Sequence, residues 1–285
     1  MKVRAYAKIN LSLDVTGKRE DGLHTLDTVM QSVALWDEIE LTPGGLPGIH
    51  LQCSRDYLPT DSGNTAFRAA RYFFQKIGLQ NEGLTISIRK RIPSRAGMGG
   101  GSTDAAAVLR ALNCIYGANL PMETLRELAT RVGADVPFCL EGGTCRCTGI
   151  GEVIEPVAEM PNCFLVICKP PAGMSTLRAY TLLDQYPMTR NYGTPQMLAA
   201  LEKGDLRKVG QALSNRFDQT LRLMQVRDVK KALLAAGALG AMMSGSGSAV
   251  YGIFDGEQAA KNAALLVVEK GKVYVTRPLR SSEIH

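Results

Sequence analysis

Two segments of this sequence carry residue types suited to holding an anion. The first, PSRAGMGGGSTDAAA from Pro93, places glycines at 97, 99, 100 and 101 directly before an Ala-rich amphipathic run. Glycines there permit positive φ and let an anion approach the main chain, while a following helix aims free N–H groups and a positive dipole end at it. The second, SGSGS at 244–248, joins a small-residue segment to an apolar run and could form another anion-contacting nest. Residue types alone also fit a tight surface turn at both places. Two common phosphate motifs are excluded: no lysine precedes Ser102 and Thr103 as a P-loop requires, and Ser102 stands where a dinucleotide fingerprint starting at Gly97 needs its third glycine.

Single side chains add further chemistry. Asp135, in GADVPF, follows a helix stop and sits beside apolar Val136, Pro137 and Phe138, so it is either a solvated turn residue or a carboxylate held to accept a proton. Lys8 is the one cation on the polar side of AKINLSLDV and shares that side with Asn10. His24 lies three residues from both Asp21 and Asp27, which resembles a ligand cluster; with three histidines in the chain, a binding contact is expected there instead of a metal site. Cys145 and Cys147 could share a strand face, but four ligands are needed and no histidine is near in sequence, so no metal site is expected.

The elements that must position these residues follow from periodicity. In AKINLSLDV, Ala7, Ile9, Leu11, Leu13 and Val15 alternate with Lys8, Asn10, Ser12 and Asp14, which predicts a half-buried strand. Further strands are expected at DTVMQSVAL, DEIELT and LTISIRK. Asn64 caps a predicted helix bearing Phe67, Ala70, Phe74 and Ile77 and stopped by Gly78. Ser102 or Thr103 caps a second, ended by Gly117, and Pro121 opens a third with Leu125, Leu128 and Val132, ended by Gly133. After the glycine-rich turns of GGTCRCTGIGE come a strand FLVICKP, helices near 196–213 and 229–236, a strand SAVYGIF, a helix near 256–269 and a strand KVYVT. That order predicts an α+β module with an antiparallel sheet. The uncharged run 233–254 is long enough to span a bilayer, but SGSGS interrupts it, and a helix, a turn and a buried strand are expected.

With 285 residues, 45% of them hydrophobic and 21% charged, the chain can bury a large core in two domains and does not read as disordered. A scattered net charge of +6 suits an anionic ligand more than nucleic acid. Seven cysteines without a CxxC pair, and no secretory signal, predict a reduced, cytoplasmic setting with no membrane partner.

Taken in order, AKINLSL, PSRAGMGGGSTDAAA, GADVPF and MSGSGSAVYGIF occur at the spacing of the GHMP kinase superfamily motifs, which the chain resembles from about residue 5 to about residue 255. Secondary matches, TGKREDGLHTL, GTCRCTGIGE and AGMSTLRAY, are similar to the branch acting on 4-diphosphocytidyl-2-C-methyl-D-erythritol, a step of non-mevalonate isoprenoid synthesis, which implies a bacterial cytoplasm. The resemblance implies a GHMP kinase two-domain α+β fold: an ATP-binding domain like ribosomal protein S5 domain 2 over 1–158 and a ferredoxin-like domain over 159–285. It implies that the loop from Pro93 through Ser94, Arg95, Ala96, Gly97 and Met98 to Gly99, Gly100, Gly101, Ser102 and Thr103 binds the ATP triphosphate. Asp135 becomes the catalytic base and Lys8 its partner, with Mg²⁺ expected alongside ATP and Ser102 as one contact for it. Asn10, His24, Tyr180, Ser246 and Gly247 fall to the acceptor side; Leu23 replaces a tyrosine found in some members, leaving recognition to His24 and Tyr180. The implied state is a monomer or homodimer acting on small molecules. Other readings are a GHMP kinase for homoserine, mevalonate or a sugar, and a non-enzymatic S5-like RNA-binding protein.

Overall fold

Residues 1–79, 83–171, 173–186 and 193–284 are described by a computed structural model. They form two compact units, and the long strands β1 (Lys2–Lys18) and β2 (His24–Pro43) contribute residues to both. The expected runs DTVMQSVAL and DEIELT are thus one continuous strand, because no turn residue separates them.

The first unit comprises Met1–Ala7, Leu35–Ile92 and Gly99–Glu141. Here β3 (Ile49–Cys53), which the sequence reading passed over, follows β2, and then come α1 (Thr65–Ile77) and β4 (Leu84–Arg89). β4 runs antiparallel to β2, with Leu41 opposite Ile86, and parallel to β3, with Leu51 opposite Ile86. Leu84, Ile86 and Ile88 are buried, as their alternation requires. The Asn64 side chain accepts from the Ala66 N–H at 2.9 Å, and Gly78 closes α1 in the left-handed conformation at φ 73°. The buried face of α1 is Ala66, Ala69, Ala70, Phe73 and Phe74, so Phe73 replaces the expected Phe67 and Ile77.

Next come α2 (Gly100–Ile115), α3 (Met122–Val132) and α4 (Val136–Glu141). α2 begins earlier than expected: Gly99, at φ 69°, occupies the cap, and Ser102 and Thr103 lie inside the first turn. Pro121 and Gly133 bound α3 as predicted, with Leu125, Leu128 and Val132 buried. GADVPF does not stay a turn. Burial of Phe138 and Leu140 draws the residues after Asp135 into the short helix α4, and Pro137 is tolerated in its first turn.

The second unit comprises Lys8–Ala34, Pro93–Met98 and Gly142–His285, of which the described residues are discussed. GGTCRCTGIGE contains a strand, β5 (Thr144–Gly149), antiparallel to β2, and leads into β6 (Val153–Pro156). There follow β7 (Phe164–Lys169), α5 (Thr176–Leu183), α6 (Gly193–Glu202) and α7 (Leu206–Gln211). The helix expected over 196–213 is thus two, because Gly204 takes φ 61° between them. The remainder is β8 (Ser214–Asn215), α8 (Arg216–Leu221), α9 (Met224–Ala235), β9 (Gly240–Met243), β10 (Val250–Phe254), α10 (Glu257–Val267) and β11 (Lys272–Thr276). An antiparallel sheet in the order β11-β7-β10-β9 packs Val166, Cys168, Val250 and Phe254 against Val229 and Leu233 of α9 and Ala260 and Ala263 of α10. This is the α+β module expected from the sequence. The uncharged run 233–254 is spent on the end of α9, β9, a turn and β10, and among the described residues no helix is long and apolar enough to cross a membrane.

Asn64→Ala removes the α1 cap and is expected to cost about 1 kcal/mol, read as a shift in the urea unfolding midpoint at unchanged slope.

Candidate active site

The glycine segment is pinned at both ends. In the second unit, the Ser244 hydroxyl donates to the Gly97 carbonyl at 2.8 Å, and the Ala249 N–H donates to the Ala96 carbonyl at 3.1 Å. The Lys8 N–H donates to the Met98 carbonyl at 3.1 Å, so strand β1 holds the same loop. A Cβ on Gly97 would lie 1.9 Å from the Ser244 carbonyl oxygen, and Gly97 itself has φ 72°. Only glycine satisfies both conditions. Arg95 takes φ 50°, a left-handed conformation uncommon outside glycine, and its side chain is exposed. SGSGS is a tight turn, with the Gly247 N–H donating to the Ser244 carbonyl at 2.9 Å; Ser246 meets the Thr176 hydroxyl at 3.3 Å.

In the first unit, a buried charge cluster holds the two ends of the same loop. Lys90 Nζ lies 2.5 Å from an Asp37 oxygen and 2.6 Å from an Asp104 oxygen, and donates to the Gly100 carbonyl at 3.0 Å. Asp37 also accepts from the Ile92 N–H at 2.8 Å, just before the loop departs. Burial works to lower the Lys90 pKa, but the two carboxylates outweigh it and the net shift is upward. Burial pushes the Asp104 carboxyl up to about 8 against the pull of Lys90, with Asp37 adding to the rise. Thr65 donates to the Gly101 carbonyl at 2.6 Å. The N–H groups at the start of α2, flanked by Gly99, Gly100 and Gly101, have no partners within the helix by position, which is the donor set a polyphosphate needs.

Along β1 the polar row is not solvated as the period of two suggests. Lys8 is 4% exposed, Asn10 and Ser12 0%, and Asp14 5%, so both faces of the strand are covered. Buried polar groups are normally paired, and for Lys8, Asn10 and Ser12 a hydrogen-bonded seam does this. Lys8 Nζ donates to Asn10 Oδ1 at 2.8 Å, Asn10 Nδ2 donates to the Thr28 hydroxyl at 2.9 Å, and Ser12 meets Thr194 at 2.9 Å. Tyr251 donates to the Asn10 carbonyl at 2.8 Å. Burial, with the Asp27 charge, pushes Asp14 up to about 6, moderated by N–H groups of Gly193 and Thr194 and by Arg216.

His24 and Tyr180 come together. Their rings stack at 4.6 Å and 24°, and Phe217 meets Tyr180 edge-on at 4.9 Å. Neither acidic neighbour in sequence pairs with His24: Asp21 accepts from the Leu23 N–H, and Asp27 pairs with Arg146. The partner is Asp184, 2.6 Å from His24 Nε2 and 2.6 Å from Lys18 Nζ, whose hydrogen bonds hold its carboxyl below the usual range. Asp184 was missed because it lies 160 residues from His24; its only local mark is a place one helical turn after Tyr180. Leu23 is 48% exposed.

Asp135 is half-buried at the entrance to α4, where its carbonyl accepts from the Cys139 N–H at 3.2 Å. Lys8 belongs to the second unit and Asp135 to the first. Among the described residues no group of three or more His, Cys, Asp or Glu could hold a metal ion.

An α+β chain with a clamped glycine loop opening a helix, a second small-residue turn against it and a buried Lys–Asn pair on the first strand matches known families. The GHMP kinases N terminal domain model matches residues 64–143 and the GHMP kinases C terminal model residues 197–272. The chain belongs to the GHMP kinase family. Over 289 aligned residues it is 41% identical to "4-diphosphocytidyl-2-C-methyl-D-erythritol kinase" of Clostridium perfringens (strain SM101 / Type A), covering 100% of both chains. It is likewise 41% identical to a protein of the same name from Clostridium botulinum (strain Kyoto / Type A2), covering 98% of this chain and 100% of that one. A crystal structure of 4-(cytidine 5'-diphospho)-2C-methyl-D-erythritol kinase is similar at a TM-score of 0.83 and 33% identity, covering 98% of this chain and 99% of that one. Homoserine kinase from Cytophaga hutchinsonii, at a TM-score of 0.79 and 21% identity over 99% of this chain and 96% of that one, shares the fold.

Two outcomes are expected. Gly97→Ala forces main-chain displacement at Ser244 and should lower stability by about 2 kcal/mol or more and raise the KM for ATP, measured by thermal melting and steady-state kinetics. The folded-state pKa of Asp104, about 8, exceeds its ordinary 3.8, so the folded chain binds more protons in that window and stability falls as pH rises through it. Asp104→Asn should flatten this: its melting temperature relative to the parent rises between pH 5 and pH 8, and a constant difference would contradict the assignment.

Proposed function

We propose that this GHMP kinase transfers the γ-phosphoryl group of ATP to the 2-hydroxyl of 4-diphosphocytidyl-2-C-methyl-D-erythritol, in the non-mevalonate route to isoprenoids. The observation that carries this reading is 41% identity over the full length to proteins of that name. The two matched family regions fall on either side of a division at 158/159, which supports an ATP-binding domain before it and a C-terminal domain after it.

In this reading the acceptor hydroxyl gives its proton to Asp135 as the oxygen bonds to the γ-phosphorus and the bond to the bridging oxygen of ADP breaks. The chemistry asks for position and charge more than for covalent help. The N–H groups from Gly99 to Ser102 hold the phosphates, while the Thr103 N–H is taken by the Gly99 carbonyl at 2.8 Å. The loop from Pro93 to Met98, fixed in place before nucleotide arrives, costs no reordering at the moment of reaction. Lys8, oriented by Asn10, offsets negative charge developing on the transferred group. Mg²⁺ bound with ATP supplies neutralisation of the phosphates, with Ser102 as its protein contact. His24 and Tyr180, steadied by Asp184, take the cytosine; Asn10, Ser246 and Gly247 bound the remainder of the acceptor. Leu23 covers the base by apolar contact where an aromatic ring is absent. A cytoplasmic monomer or homodimer, without nucleic acid or membrane partners, completes the proposal.

Purified protein with MgATP should phosphorylate the cytidine substrate and not homoserine or mevalonate; the reverse preference would overturn the acceptor assignment. Asp135→Asn should lower kcat by about 100-fold or more while the ATP KM changes little. An unchanged kcat removes Asp135 as the base.

A further inference from the structure

Arg110 is a cation the mechanism above does not use. It lies on α2, between the buried Leu109 and Ala111, and its Nη1 donates to the carbonyls of Cys139 at 2.9 Å and Leu140 at 3.3 Å. These carbonyls belong to the last turn of α4. Burial lowers the Arg110 pKa, opposed by the charges of Cys139 and Tyr6. Arg110 itself is half-buried, and two carbonyls of α4 are its hydrogen-bond acceptors.

α4 needs such an anchor. It has six residues, one of them a proline that removes a donor, and helices of that length do not set their own position. Its place is set from outside, by the buried Phe138 and Leu140, by an ion pair between Arg126 and Glu141, and by Arg110. Asp135 sits one turn before Cys139 and is joined to it by the Cys139 N–H bond to the Asp135 carbonyl. α2, the helix that carries Arg110, is the one that starts at Gly100 on the glycine loop. A single guanidinium therefore ties the backbone after Asp135 to the helix that opens at the phosphate-holding segment.

We propose that Arg110 is a positioning residue for phosphoryl transfer: by holding the last turn of α4 against α2, it fixes where Asp135 stands relative to the glycine-loop helix. The inference rests on the reading of Asp135 as the base. Displacement of a base by a fraction of an ångström costs turnover and not nucleotide affinity. A role confined to core stability would lower the melting temperature and leave the turnover of folded enzyme intact.

The test is a double-mutant cycle on the full chain, with MgATP and the cytidine substrate, for Arg110→Met and Asp135→Asn, each checked by thermal melting. Arg110→Met is expected to lower kcat on the order of ten-fold with the ATP KM within about two-fold, and to have no further effect once Asp135 is Asn. Arg110→Lys, which keeps a donor to the carbonyls, should recover most of the loss. Unchanged kcat in Arg110→Met, or an effect of the same size with and without the Asp135 carboxylate, overturns the proposal while leaving the base assignment standing. Unchanged kcat in Asp135→Asn overturns both. Should Arg110→Met fail to fold, Arg110→Gln is read in the same cycle against the same outcomes.

Discussion

A lysine ammonium held out of water between two carboxylates governs the geometry of the glycine loop. Lys90 stands at the end of β4, where the chain leaves for the loop, and Asp104 and Gly100 stand where it returns as α2. Asp37, from β2, binds Lys90 and also the N–H of Ile92. Removing Lys90 from such a cluster leaves two buried carboxyl groups without a counter-charge, a loss of about 3–5 kcal/mol in comparable cases. The two ends of a glycine-rich stretch, which would otherwise be the most entropic part of the chain, are thereby set before any ligand binds.

The seam on β1 applies the same logic to a strand. Lys8, Asn10 and Ser12 are covered, and each is paired along a line that runs through Thr28 to Thr194. Replacing any one member by an apolar residue would strand its neighbour, so the strand tolerates polar residues in its interior as a set and not singly. Lys8 is oriented by this set through its hydrogen bond to Asn10.

Much of this architecture was legible in the order of residues. The α1 caps at Asn64 and Gly78, the α3 boundaries at Pro121 and Gly133, and the strands at 84–89, 164–169 and 250–254 follow local rules that operate within a few residues. The motif blocks identified the family. What escaped was non-local or depended on burial. Polar residues on β1 read as solvent-facing because alternation says only that two faces differ, not that one is wet. α4 read as a turn because Phe138 and Leu140 declare their burial only against α2 and α3. Lys90 with Asp104, and His24 with Asp184, are separated by 14 and 160 residues, and no periodicity links such pairs.

The contact between Gly97 and Ser244 joins residues 147 positions apart. Closing a loop of that length is an entropic cost met only when other distant contacts form with it. During synthesis the glycine stretch therefore emerges long before the turn that braces it. The brace on the glycine stretch is therefore a late feature of the fold: it is complete only once residues 244–249 have docked and the Ser244 and Ala249 bonds to Gly97 and Ala96 are made.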